Sequence, residues 1–510
     1  MATEFIIGID LGTSGCKTVL VDRRGGIAAT GYREYPLHIP QQGWYEQNPL
    51  DWWKAAQGAV KTMLARSRHG RAVRAIGLSG QMHGLVAVDA VGEVLRPCMI
   101  WADTRNEEQC EQIHRLAGGV KGLLKHPNNR MLAGYTGGKL LWMREHEPEV
   151  FEKMKVFLNP KDYLRFRLTG EFGADVSDAS GTGLFDVRHR RWAFELIDRL
   201  KLSRNLFSKC HESCDVAGAL RVDVASNLGL PAGIPVVAGG GDAVVQSTGT
   251  GLIEPGVFGI TIGTGGVVTT ALPECRLNVE GRYQVFCHNA PDQWIVMGVS
   301  LTAGGALRWL ASILAGTEKE AAAGLGTDVY ALLDQAAARI SPGAEGLFFM
   351  PHLVGQRCPY PDSASRAAFI GLTLKHTKAH LIRSLLEGVA YSVCEITDFM
   401  QQEMRTRCRE LRLTGGACRS QLWKQIHADV FGCDVHTLSG ASEGAAYGAA
   451  MLAGVGSGLW KDLKDAAAAL RATETTVPID THVRRYRSHL ALYRKLHPNL
   501  RAIFAELSSL

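Results

Sequence analysis

The sequence predicts an α/β protein with two related halves. Three observations carry this. The chain is 510 residues long, which exceeds what one core usually organises. Two strand–glycine turn–strand stretches recur about half a chain apart: "FIIGIDLGTSGCKTVLVD" at residues 5–22 and "GVFGITIGTGGVVTT" at 256–270, with Thr264 lying 251 residues after Thr13. A third glycine site, "LRLTGGACRSQLWKQIHADVFG" at 411–432, reads as strand, glycine pair, helix.

In the first stretch, "FIIGID" and "KTVLVD" are rich in β-branched residues and flank turn residues, so they predict a hairpin. A phosphate loop of the G-x-x-x-x-G-K-[ST] type needs a helix after its lysine. Here Cys16 separates Gly15 from Lys17 and a strand follows. Asp10 ends the first strand. A carboxylate beside phosphate-binding amides is favourable only with a cation between them, and Mg²⁺ with retained waters suits that place.

Next, "AIGLSGQMHGLVAVDAVGEVLRPCMIWADTRN" predicts strand, loop, strand, turn, strand. His83 and Asp103 each follow a strand end, and neither pairs with a second His or Cys at metal spacing. Polar ends on neighbouring strands suggest a small-molecule pocket. The bland alternative is core methionine and satisfied core histidine. Further on, "IPVVAGGGDAVV" predicts a buried strand, three glycines and Asp242. An acid there suits a catalytic base, and it equally suits a helix N-cap.

The second hairpin offers Gly263, Thr264 and Gly265. Two such turns could grip a polyphosphate through amides and threonine hydroxyls, or they could be unrelated. In the third site, Gly415 and Gly416 precede Ser420 as N-cap, with Gly432 as C-cap. It could hold a nucleoside or be a plain turn.

Composition bounds the rest. The chain has 46% hydrophobic and 21% charged residues, ordinary for a globular protein. Its 57 glycines are about 11% of the chain against a usual ~7%, and they point to tight turns and close ligand approach. A net charge of +6 is too small to suggest nucleic-acid binding. The basic tail "HVRRYRSHLALYRKLHP" reads as an amphipathic helix with a solvated face. "MATEF" enters a strand pattern without a leader signature, and no apolar run reaches membrane-spanning length. Twelve scattered cysteines, "CHESC" included, predict free thiols in a cytoplasmic protein.

Taken in order, "GIDLGTSG", "GLSGQMHG", "RPCMIWADTR", "KLLWMREHEPE", "NPKDYLRFRLTGEFGADVSDASGTGLFD", "VVAGGGDA", "TIGTGG", "GLTLKHTKAHLIRSLLEGVAY" and "LTGGACRS" resemble the FGGY carbohydrate kinases along nearly the whole chain. The resemblance implies two ribonuclease-H-like (actin/hexokinase-type) domains flanking a central cleft, with residues 1–248 binding sugar and 249–510 binding nucleotide. It implies ATP and Mg²⁺ as cofactors, a small sugar as partner, and a possible homodimer. Asp10 is implied as the Mg²⁺-associated acid. Gly12, Thr13, Gly263, Thr264 and Gly265 are implied at the phosphates, and Gly415, Gly416 and Ser420 at the adenosine. Met82, His83, Asp103 and Asp242 are implied at the sugar, with Asp242 as catalytic base. "SGQMHG" with "SDASGT" implies D-xylulose as acceptor. Gluconate, another pentulose, or a non-catalytic actin-like ATP sensor remain alternatives. Four positions depart from the family pattern: Ala243 for asparagine, Gln356 for glutamate, Gly265 for serine, and Gly138 for proline.

Overall fold

A computed structural model describes residues 4–278, 280–438, 440 and 443–510. Residues 1–3 of "MATEF" therefore lie outside it. The chain divides into two units. The first comprises Met1–Glu254, Ala271–Val296 and Glu443–Arg471; the second comprises Pro255–Thr270, Met297–Ser442 and Ala472–Leu510.

The first unit is built on strands β1 (Phe5–Leu11), β2 (Gly15–Asp22), β3 (Ile27–Glu34), β4 (Val73–Gly80), β5 (Val216–Ala219), β6 (Pro235–Val237) and β7 (Gly240–Gly241). Their order is β5-β6-β4-β1-β2-β3, with β7 also paired to β4. β1, β2 and β3 form an antiparallel meander, while β4 runs parallel to β1, β6 and β7. Alternation along β1 divides the core between two faces. Phe5, Ile7 and Ile9 pack with Trp52, Ala56, Ala59 and Met63 of the Pro49–Ser67 helix. Ile6, Val19, Val21 and Ala75 pack with the Gly444–Gly456 helix.

That second face explains two glycines. Gly8 and Gly77 are register partners on β1 and β4. A Cβ on Gly8 would lie 1.9 Å from the Ala446 carbonyl oxygen, and one on Gly77 would lie 1.8 Å from that of Ala449. These glycines admit a helix backbone onto the sheet, not a ligand.

A second sheet comprises β8 (Val257–Ile262), β9 (Gly266–Leu272), β10 (Gln284–Cys287), β11 (Trp294–Ser300), β12 (Glu410–Gly415), β13 (Val435–Leu438) and β14 (Ala472–Thr476). Their order is β10-β11-β9-β8-β12-β13-β14. β8 is antiparallel to β9 and parallel to β12. The Lys378–Met404 helix is mostly buried, as its long apolar pattern requires. In the tail, Val483, Tyr486, Leu490 and Tyr493 face inward from the Asp480–Tyr493 helix while Arg484, Arg485 and Arg487 face solvent.

All twelve cysteines are free. Among the described residues no helix is long and apolar enough to cross a membrane, and no cluster of three or more His, Cys, Asp or Glu could hold a metal ion.

Candidate active site

In the first unit, three parallel strand ends meet. Asp10 on β1 pairs with Ser79 on β4, and Ser79 pairs with Gly240 on β7. The carboxyl ends of such strands are where α/β sheets present ligand-binding groups. Ser79 Oγ donates to Asp10 Oδ1 at 2.9 Å. Two residues beyond Gly240, Asp242 opens the Asp242–Gly249 helix.

The helix N-cap is Gly241, not Asp242. Asp242 occupies the first helical position, and its carboxylate accepts the Ala243 amide at 2.8 Å and the Met82 amide. So the backbone of Ala243 helps to orient the acid. Gly241 has to be glycine, because a Cβ there would lie 2.5 Å from Met82 Cγ.

Both acids are half-buried and influence each other. Burial raises the Asp10 carboxyl, against lowering by Ser79 and Lys17. Burial and then the Asp10 charge push Asp242 up to about 7, against the two amides. A carboxyl poised near neutrality can take up a proton and release it.

The first hairpin turn is pinned by side chains. Gly12 N–H closes it onto the Gly15 carbonyl at 3.1 Å. Tyr35 Oη donates to the Gly12 carbonyl. Gln47 Nε2 donates to the Thr13 carbonyl at 2.7 Å, and Trp101 Nε1 to Thr13 Oγ1 at 2.9 Å.

His83 has φ of 72°, in the left-handed region. Its Nδ1 lies 2.6 Å from the Gly181 carbonyl, and its ring stacks on Tyr135 at 4.6 Å. Burial, with Lys139 behind it, pushes its pKa down to about 3. The ring is therefore neutral, the Gly181 carbonyl selects the Nδ1–H tautomer, and Nε2 is left as an acceptor. Met82 is nearly buried, and Gly181 and Gly241 both abut its side chain. Asp103 is fully buried. Its oxygens accept from Tyr45 N at 2.7 Å and from Arg105 Nη2 at 2.7 Å and Nε at 2.9 Å.

Two features were not anticipated. One is a buried charge cluster in which Lys161 Nζ meets Asp162 at 2.6 Å, Asp175 at 2.8 Å and Asp178 at 3.8 Å. "NPKDY" and "DVSDAS" both carry its charges, and only the fold shows that they meet. The other is Lys139, whose fully buried Nζ donates to the carbonyls of His83, Ile100 and Gly134. One position before it, a Cβ on Gly138 would lie 2.2 Å from Asn106 Nδ2, so Asn106 fills the space a proline would need.

In the second unit, Gly263, Thr264 and Gly265 link β8 to β9. Gly263 N–H reaches the Gly265 carbonyl at 2.9 Å. Ala303 N–H and Gly305 N–H donate to the Thr264 carbonyl at 2.8 and 2.9 Å, and Gly304 N–H to that of Gly263 at 2.9 Å. Gly263 and Thr264 are exposed. A Cβ on Gly265 would lie 2.8 Å from the Ser300 carbonyl oxygen, which accounts for the missing serine. Beside this turn, Gly415 has φ of 81°, and its Cβ would meet the Ile262 carbonyl oxygen at 2.4 Å. Gly416 follows. Ser420 caps the Gln421–Phe431 helix by accepting Trp423 N–H at 2.9 Å, and Gly432 ends that helix in the left-handed conformation. Gln356 is buried, with Nε2 3.5 Å from Ser392 Oγ.

Two family models match this chain. Residues 5–249 match the N-terminal domain of the FGGY family of carbohydrate kinases, and residues 259–457 match its C-terminal domain. The chain belongs to the FGGY family of carbohydrate kinases. This FGGY kinase is 35% identical over 508 residues to a xylulose kinase of Bacillus subtilis (strain 168), with 99% of each chain covered. It is 28% identical over 495 residues to a gluconokinase of the same strain, covering 97% of this chain and 96% of that one. The structure of a xyloylose kinase from Brucella ovis matches with a TM-score of 0.89 and 31% identity, over 98% of this chain and 100% of that one. The fold is thus that of the carbohydrate kinases: two α/β units, each with a mixed sheet.

Proposed function

We propose that this FGGY kinase transfers the γ-phosphoryl group of ATP to a primary hydroxyl of a ketopentose, with D-xylulose giving D-xylulose 5-phosphate. The observation that carries the mechanism is the Asp10–Asp242 pair, two interacting acids at the ends of β1 and β7, which both pair with β4. The acceptor hydroxyl oxygen attacks the γ-phosphorus, its proton passes to Asp242, and ADP leaves. Asp242 is ionised and competent above its pKa of about 7.

His83 presents Nε2 to a sugar hydroxyl. Met82 and Asp103 shape the same side, Asp103 acting through Arg105 and Tyr45. Gly12, Thr13, Gly263, Thr264 and Gly265 attend the phosphates. Gly415, Gly416 and Ser420 attend the adenosine, Ser420 by fixing the helix start.

The residues fit a Mg²⁺ ion that arrives with the nucleotide. Mg²⁺ uses one or two carboxylates, keeps several waters, and takes phosphate oxygens as further ligands. Asp10 supplies such a carboxylate, and no larger protein cage stands among the described residues. Bound there, the ion would neutralise phosphate charge.

The stronger likeness to a xylulose kinase than to a gluconokinase supports a ketopentose acceptor. An ADP-release assay with D-xylulose, D-gluconate and other pentuloses tests this. D-xylulose should give the highest kcat/KM. A gluconate preference overturns the acceptor. Nucleotide binding with no sugar-dependent turnover on any of them favours a non-catalytic sensor.

A further inference from the structure

We propose that Lys139 is a positioning residue that holds His83 in its left-handed conformation and so aims its ring. The inference rests on the reading that His83 faces the sugar.

A histidine at φ of 72° carries backbone strain, and such a conformation persists only where its surroundings over-determine it. The surroundings here are unusually complete. The His83 carbonyl accepts from Lys139 Nζ at 2.9 Å and from Thr136 Oγ1 at 3.1 Å. The next carbonyl, that of Gly84, accepts from Asn159 Nδ2 at 2.9 Å. The ring itself is fixed by the Gly181 carbonyl and Tyr135.

Lys139 does more than close one contact. Its three protons go to three carbonyls, with Ile100 at 2.8 Å and Gly134 at 2.6 Å completing the set. Burial lowers the Lys139 ammonium, with the Asp103 charge acting against it. Burying an ammonium with no carboxylate bonded directly to it is costly, and it is sustained here by three charge-assisted bonds. Those bonds join three segments: the His83 loop, the loop leading to Trp101 and Asp103, and the approach to the Thr136–His146 helix. Trp101 in turn donates to Thr13. One ammonium thus ties the histidine to the loop that braces the first hairpin. A neutral side chain of similar length fills the space but cannot supply three donors.

The test compares Lys139→Met with wild type, measuring sugar and nucleotide KM, kcat, and the His83 imidazole signals by ¹⁵N NMR. Lys139→Met should raise sugar KM about tenfold or more, as expected for loss of a charged hydrogen bond. Nucleotide KM should stay within about twofold. The His83 signals should shift, and in a His83→Ala background Lys139→Met should add little further change in sugar KM. Unmoved His83 signals, or effects on KM that multiply independently, overturn the proposal. If His83→Ala alone leaves sugar KM unchanged, the sugar-side assignment has failed, and the His83 signals in Lys139→Met still decide the role of the lysine. Should Lys139→Met not accumulate as folded protein, Lys139→Gln, which keeps an amide donor, is read in the same way.

Discussion

The two glycine hairpins look alike in sequence and are held in opposite ways. At residues 10–15 the turn carbonyls and the Thr13 hydroxyl are taken by Tyr35, Gln47 and Trp101, all side chains, and an acid stands at the mouth. At residues 262–266 the turn carbonyls are taken by the amides of Ala303, Gly304 and Gly305, and no acid is present. Thr264 Oγ1 makes no hydrogen bond with the described residues, whereas Thr13 Oγ1 already accepts one. The same turn chemistry is therefore held by two different frames. The first is built into a polar network of side chains beside Asp10. The second is a rigid backbone frame with an open hydroxyl.

The largest effect should come from the acid side. Asp242→Ala should lower kcat by about 10²–10⁴ and leave nucleotide KM near wild type in steady-state kinetics. An equal kcat loss in Thr264→Val would break the division of labour. Next is the rigid frame. Gly415→Ala should destabilise the protein by about 2 kcal/mol or more in urea unfolding, since φ is positive and the Ile262 carbonyl blocks the Cβ. Gly263→Ala sharpens the contrast. Its Cβ meets nothing closer than the Gly265 carbonyl oxygen at 3.8 Å, so stability should hold while nucleotide KM rises. Trp101→Phe should cost about 1 kcal/mol, the value of one neutral hydrogen bond to Thr13.

A separate effect is a pH dependence of stability. The pKa of Asp242 is about 7 in the folded chain against an ordinary value of 3.8, so the unfolded chain releases this proton first. Rising pH between those values takes stability away. Asp242→Asn should therefore raise the melting temperature relative to wild type more at pH 8 than at pH 5. The same gain at both would remove the burial of this charge from the account.

Much of this was legible in the chain. The hairpins at 5–22 and 256–270 announced themselves by β-branched runs around glycine, and Ser420 and Gly432 by cap chemistry. What was hidden depends on contacts between remote segments. The capping role of Gly241 follows from its pairing with Gly80, which no local pattern shows. Gly8 and Gly77 are glycines because the Gly444–Gly456 helix, remote from both in sequence, lies on them. Lys139 lies in a stretch that resembles the family's, but that its ammonium is buried and reaches three carbonyls follows only from the fold. Likewise Asp103 and Arg105, two apart in sequence, gave no sign of closing on each other.

In the proposed mechanism Asp242, raised by burial and by Asp10, takes the acceptor's proton. The pH dependence of kcat/KM for the sugar tests it most directly. The rate should fall as pH drops through about 7, and the inflection should move lower in Asp10→Asn, where the neighbouring charge is gone. A profile flat across this range, or an inflection unmoved by Asp10→Asn, would contradict it.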